Sequence, residues 1–424
     1  MRFAFDADQL ALRDAVRDLL AKECPPEVVR AAWPDGTDAL GARKGEGARA
    51  DAARLDRVWI ALAEMGVLGV ATSEAHGGLG MTPLDWVLVA EETGYAAVPQ
   101  PFVETALVVA PLAAAADDPH GVVADLVAGN RLASALPLGT SHVPWGDRVT
   151  YLVRLDHRPG PAGAAPARGG SADTALGSAG DGSAGAGPDA SSAGTAAVVG
   201  RAGVGSAGVG SVGAGSVGAG PDVGSAGLGG TWVASRVDAG VTIGPEGRRD
   251  LADVLDPGRH VVTLGAWRSA DQLGGPGDAA AAFDRGALAV AAQLVGLGRR
   301  MLDLTVGYVV ERRQFGVPIG SFQAVKHHLA DAALRLEFAA PAVYGAAWSL
   351  ACGQPSAARD VSVAKALASD AARLTGRIAL QGHGAIGYTT ECDLHLYLKR
   401  AEALSRAWGD AAWHRREVAD ALGI

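Results

Sequence analysis

Cysteine is scarce in this chain: Cys24, Cys352 and Cys392 are the only three, an odd number and far apart. They cannot build a disulfide framework, and no spacing among them suits a metal. The expectation is a reducing, cytoplasmic setting with no metal site. Positive charge is also in deficit. Lys+Arg 37 against Asp+Glu 46 leaves a formal net charge of −9, which argues against nucleic acid as the main partner. No apolar run is long and unbroken enough to predict a membrane span. The N-terminal MRFAFDADQLALRD carries charge too early for a signal peptide.

What the chain has in quantity is apolar material, 49% of 424 residues, enough for two or three domains with a large core. Asp6 is placed to cap a helix carrying Leu12, Val16, Leu19 and Leu20, which Pro25 and Pro26 end. A second helix runs through Val58, Leu62 and Met65 and stops near Gly66. Gly77, Gly78 and Gly80 predict a turn, and Thr82 with Pro83 starts another helix. No strand precedes that glycine cluster, so it is not a dinucleotide-binding loop.

From about Asn130 the pattern shortens. Residues 131–138, 149–155, 231–235, 241–243 and 260–264 predict strands. Between them, residues 159–230 are almost wholly Gly, Ala, Ser and Val. Side chains that small offset little ordering entropy, so a disordered low-complexity insertion is predicted there. Long alanine-rich helices follow over 284–310, 322–352, from Ser356 to about Leu380, and between Glu391 and Leu422 with a break at Gly409. Their wide apolar faces suit antiparallel packing. The expected fold class is α+β, mainly α. It comprises an N-terminal helical domain (1–129), a middle β domain (130–270) and a C-terminal four-helix bundle (280–424).

One stretch, Glu311 to Ala330, reads ERRQFGVPIGSFQAVKHHLA. Arg312 and Arg313 close a long helix, Phe315-Gly316 and Pro318 break it, and Ser321 is placed to cap the next, with Gln323 at its start. Guanidinium forks beside a helix N-terminus suit a pyrophosphate. On the residues alone, a helix–turn–helix corner with solvated arginines is favoured. The R-x-x-F-G…F-Q pattern closely resembles the signature of the FAD-dependent acyl-CoA dehydrogenase family. QGHGAIGYTTE, from Gln381, is similar to a second family motif, with Ala385 in place of a glycine. Glu64, Gly66, Gly69, Glu74, Gly77, Gly78 and Gly80, followed by Glu91 and Glu92, resemble the family's N-terminal domain.

This resemblance implies the family's three-part architecture and its α,β-dehydrogenation of an acyl-CoA thioester, with FAD as hydride acceptor. It also implies oligomerisation, an acyl-CoA substrate and an electron-accepting protein partner. By resemblance, Arg312, Phe315, Gln323, Gln381, Gly382 and Gly384 hold FAD, in part from a neighbouring subunit.

The chain departs from the family pattern in three places. The β-domain Thr-Glu-Pro motif is missing, SALPLGTSHVPWGD (134–147) standing instead. The usual base position on the last helix falls on Trp408, and the alternative position on the first bundle helix falls on Gly286, with Ala287 in place of an arginine. Indole offers no basic nitrogen, so the catalytic residue is left unassigned, with Asp410 a weak candidate and Asp284 and Glu402 displaced carboxylates. The chain resembles the base-less subunit of actinobacterial heteromeric members, some of which act on steroid side chains. An independent dehydrogenase using Asp410, or a flavin-free assembly subunit, remains open at this point.

Overall fold

Asp6 accepts a hydrogen bond from the Gln9 amide while the Gln9 side chain accepts one from Asp6 N, and this reciprocal cap opens α1 (Ala7–Glu23). In the computed structural model the described residues are 4–33, 46–138, 140–159, 230–239, 254–264 and 267–424. The insertion expected over 159–230, apart from its two end residues, and the strand expected at 241–243 lie outside them.

The N-terminal helices are α1, α2 (Pro26–Ala31), α3 (Glu46–Glu64), α4 (Pro83–Tyr95), α5 (Ala110–Ala115) and α6 (Val123–Val127). A π-helical stretch, Val103–Val109, runs into α5 and is wholly buried. The sequence carries no periodic sign of it.

The sheet is built from β1 (Ala133–Pro137), β3 (Tyr151–Pro159), β4 (Gly230–Ala239) and β6 (Trp267–Gln272), in that spatial order; β2 (His142–Val143) and β5 (Val262–Thr263) form a separate pair. β1 lies parallel to β3, and the other sheet pairings are antiparallel. The sequence pattern misses β6, whose WRSADQ has too little alternation to read as a strand.

The C-terminal half is a bundle of α7 (Pro276–Glu311), α8 (Gln323–Ala351), α9 (Ala357–His383), α10 (Leu394–Arg406) and α11 (Ala411–Leu422). The break expected near Gly409 is present: Trp408 and Gly409 both have positive φ, 58° and 88°. α7 begins eight residues before the expected Asp284, with Pro276 in its first turn. By length and composition α7 could cross a membrane, contrary to the reading of the apolar runs, but 78% of its apolar window is buried inside the protein. That is how the central helix of a bundle reads. α4 crosses α7 where Gly296 faces the Glu91 carbonyl so closely that a Cβ would sit 2.0 Å from its oxygen.

Candidate functional site

Two places gather the residues singled out by sequence. The first is one end of the bundle. After α7, β7 (Arg313–Gln314) and β8 (Val317–Pro318) pair antiparallel. The two residues between them, Phe315 (φ 54°) and Gly316 (φ 83°), make the hairpin turn. A two-residue loop with both φ positive favours glycine at its second position, the local reason for F-G. Phe315 is 93% exposed. Arg312, just before the hairpin, is exposed and forms no ion pair among the described residues.

The cap expected from Ser321 is not made. Its hydroxyl donates to the Pro318 carbonyl at 2.6 Å, and Phe322 occupies the N-cap of α8 with no side-chain cap. Among the described residues, the first-turn N–H groups of α8, where Gln323 sits, therefore have no side-chain cap.

The Gln381 turn lies alongside. A Cβ on Gly382 would stand 2.7 Å from Thr305 Cγ2 of α7, and the His383 ring stacks on Tyr308 at 4.6 Å, one turn before Arg312. Gly384 has φ 64° and ψ −139°, a conformation essentially confined to glycine. Gln381, Gly384 and Tyr388 are exposed. This end thus presents free guanidinium, uncapped amides and open glycine backbone together. That donor set fits a nucleotide diphosphate.

The second place is a cavity of about 500 Å³ between the C-terminal side of β1 and the α10–α11 break. Its walls include Ala135, Pro137, Leu138, Trp408, Asp410 and Trp413. Trp408 is 2% exposed. Its indole lies directly over Gly286, so that a Cβ there would meet ring carbons at 2.4–2.6 Å. Positions 408 and 286 are therefore in contact, and the ring takes the room the missing side chain leaves. A tryptophan at positive φ is strained by ~1–3 kcal/mol, so surrounding contacts must hold it. His414 Nε2 donates to the Trp408 carbonyl at 2.8 Å, and buried Lys365 donates to the Gly409 and Ser405 carbonyls at 3.0 and 3.2 Å. Phe283 flanks the ring at 5.9 Å between centroids.

Asp410 caps α11, accepting from Trp413 N at 2.7 Å, and backbone hydrogen bonds hold its carboxyl below the usual range. It is both a helix cap and part of the cavity's edge. Glu402 is paired with Arg373 and Arg406, and Asp284 is not part of the cavity wall.

The sequence reading missed four groups here: Lys365, His414, Glu104 and Arg259. His414 is fully buried and neutral; burial first, then Lys365, pushes it down to about 3 from 6.5. Between those values the unfolded chain takes up a proton that the folded chain refuses. Stability is therefore expected to fall as pH drops from 6.5 toward 3, by up to ~1.4 kcal/mol per pH unit. Denaturant midpoints measured across that range should show the slope, and His414→Gln should flatten it.

The N-terminal domain of the acyl-CoA dehydrogenases matches residues 6–119 and their C-terminal domain matches residues 274–423, together more than half of the chain. Acyl-CoA dehydrogenase IpdE2 of Mycobacterium tuberculosis is 37% identical over 147 residues, 35% of this chain and 43% of its own length. The matched stretch thus spans less than half of that relative. The ChsE4–ChsE5 complex from Mycobacterium tuberculosis has a similar fold, with TM-score 0.68 at 20% identity, covering 100% of this chain and 99% of that one. Butyryl-CoA dehydrogenase from Megasphaera elsdenii gives 0.65 at 18% identity, with 100% of both chains covered.

Proposed function

Because the chain belongs to the acyl-CoA dehydrogenase family, we propose that it is the base-less member of a heteromeric acyl-CoA dehydrogenase. Its bundle end completes the FAD site of a related chain that keeps the glutamate. The observation that carries this reading is the Trp408–Gly286 contact. The family's two base positions hold no carboxylate here, and the indole closes the space between them to water and acyl chain alike.

Bound FAD supplies the hydride acceptor in this chemistry. The part left to this chain is to hold it. Arg312 offers a fork to the pyrophosphate, α8 offers free amides beside Gln323, and the Gln381–Gly384 turn offers backbone without side-chain obstruction. Exposure of this end supports a site shared with a second subunit. So do the uncovered apolar side chains Phe315, Phe338 and Tyr388, exposed by 93%, 70% and 76%. The chain's own cavity suits a flavin ring less well. Pro137 has no N–H and Leu138 no side-chain donor where the family's Thr-Glu-Pro would stand. The ChsE4–ChsE5 neighbour, a complex of two chains, is consistent with this arrangement. The substrate of the whole assembly is an acyl-CoA thioester, and an electron-accepting protein would reoxidise its flavin.

Purified alone, the chain is expected to dehydrogenate acyl-CoA no faster than background. Produced with a related glutamate-bearing chain, it should copurify as a yellow, active complex. Arg312→Ala in that complex should weaken flavin retention roughly 10- to 100-fold, the worth of a charged hydrogen-bonded contact. A family-typical rate from the chain alone would end this reading. A colourless, inactive complex would replace it with an assembly role.

A further inference from the structure

The cavity beside Trp408 has a polar floor that the dehydrogenase reading does not use. Arg259 sits in a short 3-10 turn, Pro257–Arg259, and is only 7% exposed. Among the described residues its Nε has no hydrogen-bond partner, and its nearest anion is the Glu104 carboxylate at 3.8 Å, beyond hydrogen-bonding distance. Both side chains line the cavity. Glu104 is itself 3% exposed and comes from the π-helical stretch Val103–Val109, a distortion that often marks functional positions.

Among the described residues, no other side chain nearby accepts from the guanidinium. Asp256, one turn away, is taken by Arg400, itself buried. The Trp145 ring lies under Arg259 at 5.4 Å and contributes a cation–π contact, not an acceptor. Burial pushes the Glu104 carboxyl up, against the pull of Arg259 beside it. A buried arginine left with a free N–H is costly unless something fills the gap.

The backbone holds this arginine in place. The Arg259 carbonyl accepts from Trp145 N at 2.6 Å, and the next residue, His260, bonds Asp147 at 2.7 Å and also the Ala32 carbonyl. The rest of the wall is mostly apolar, with Ala135, Pro137, Leu138, Val261 and Trp413. Arg406 and Arg416 are exposed and mark the mouth.

We propose that this cavity is a binding site for a carboxylate-bearing apolar small molecule, its carboxylate seated on Arg259 and its body against Trp408 and Trp413. A carboxylate matches the unused face of the guanidinium and supplies the acceptor that Glu104 stands too far away to be. The volume, about 500 Å³, is that of an ordinary small-molecule site. Glu104 competes with the ligand for the arginine and so sets its affinity. The site requires neither a partner chain nor flavin, so its test stands apart from that of the heteromeric enzyme.

The experiment is calorimetric titration of the full purified chain with 3-cyclohexylpropanoate and, separately, with its neutral amide. The carboxylate is expected to bind at least roughly tenfold more tightly, the difference between a charged and a neutral hydrogen-bonded contact. Glu104→Gln, which keeps shape and removes the competing charge, should tighten carboxylate binding several-fold and leave the amide unchanged. Arg259→Lys, which keeps the charge and loses the fork, should narrow the difference between the two compounds. Equal binding of both compounds, binding of neither, or carboxylate affinity unaltered by Glu104→Gln overturns the proposal.

Discussion

Gly286→Ala is expected to destabilise the protein by ~3 kcal/mol, the upper part of the range for overpacking a tight core. The added methyl would lie 2.4–2.6 Å from three carbons of the Trp408 ring. A rigid, buried ring has little freedom to retreat. Phe283 stands beside it, and the carbonyls of Trp408 and Gly409 are tied to His414 and Lys365. The rotation that would relieve an exposed side chain is unavailable.

The companion change tests the cause. Trp408→Leu alone should destabilise by about 2–3 kcal/mol through the cavity it leaves. Combined with Gly286→Ala, part of that cavity is refilled, so the double variant should be less destabilised than the sum of the singles by ~1–3 kcal/mol. Denaturant unfolding of the four proteins closes the cycle. Additive effects would mean that the indole and residue 286 do not share one space. The Trp408–Gly286 support for a base-less subunit would then be lost.

Much of the frame was readable because it is locally encoded. Asp6 with Gln9, and Thr82 with Pro83 and Asp85, write their caps within four residues. The Phe315-Gly316 turn and the break at Gly409 follow from the φ values those positions must adopt. Where local encoding was ambiguous, the reading slipped. Ser321 looks like a cap, but the chain turns through Ile319–Ser321 first, so its hydroxyl meets Pro318 instead of the α8 amides. β6 is held by pairing with β4, not by its own alternation.

The cavity was the least readable part. Arg259 and Glu104 belong to segments with β1 to β4 between them in the chain, and neither lies in a motif. The one signal available was a glutamate set inside the apolar run PFVETALVVAP, where a charge is costly to bury. Lys365 and His414 likewise acquire their roles only when α9, the α10–α11 break and α11 meet.

Arg400→Met should be among the most damaging substitutions in the chain, at about 3–5 kcal/mol, the usual effect of breaking a buried ion pair by removing one partner. Arg400 is 5% exposed and Asp256 2%. Arg400 Nε donates to the Asp256 carboxylate, while Nη1 donates to the Val98 carbonyl at 2.9 Å. One side chain from α10 thus fastens the Asp256–Arg259 turn and the chain just beyond α4. The methionine would leave Asp256 charged, buried and without its cation, and would free the turn that presents Arg259 to the cavity. Adding Asp256→Leu should recover part of the loss, because an apolar pair of similar bulk avoids the desolvation that the ion pair must overcome. The unfolding midpoints of the two variants against the parent decide it. A loss below about 1 kcal/mol for Arg400→Met would mean that the pair is hydrated like a surface bridge, and that the turn carrying Arg259 is held instead by its backbone contact to Trp145 and by the His260 side chain.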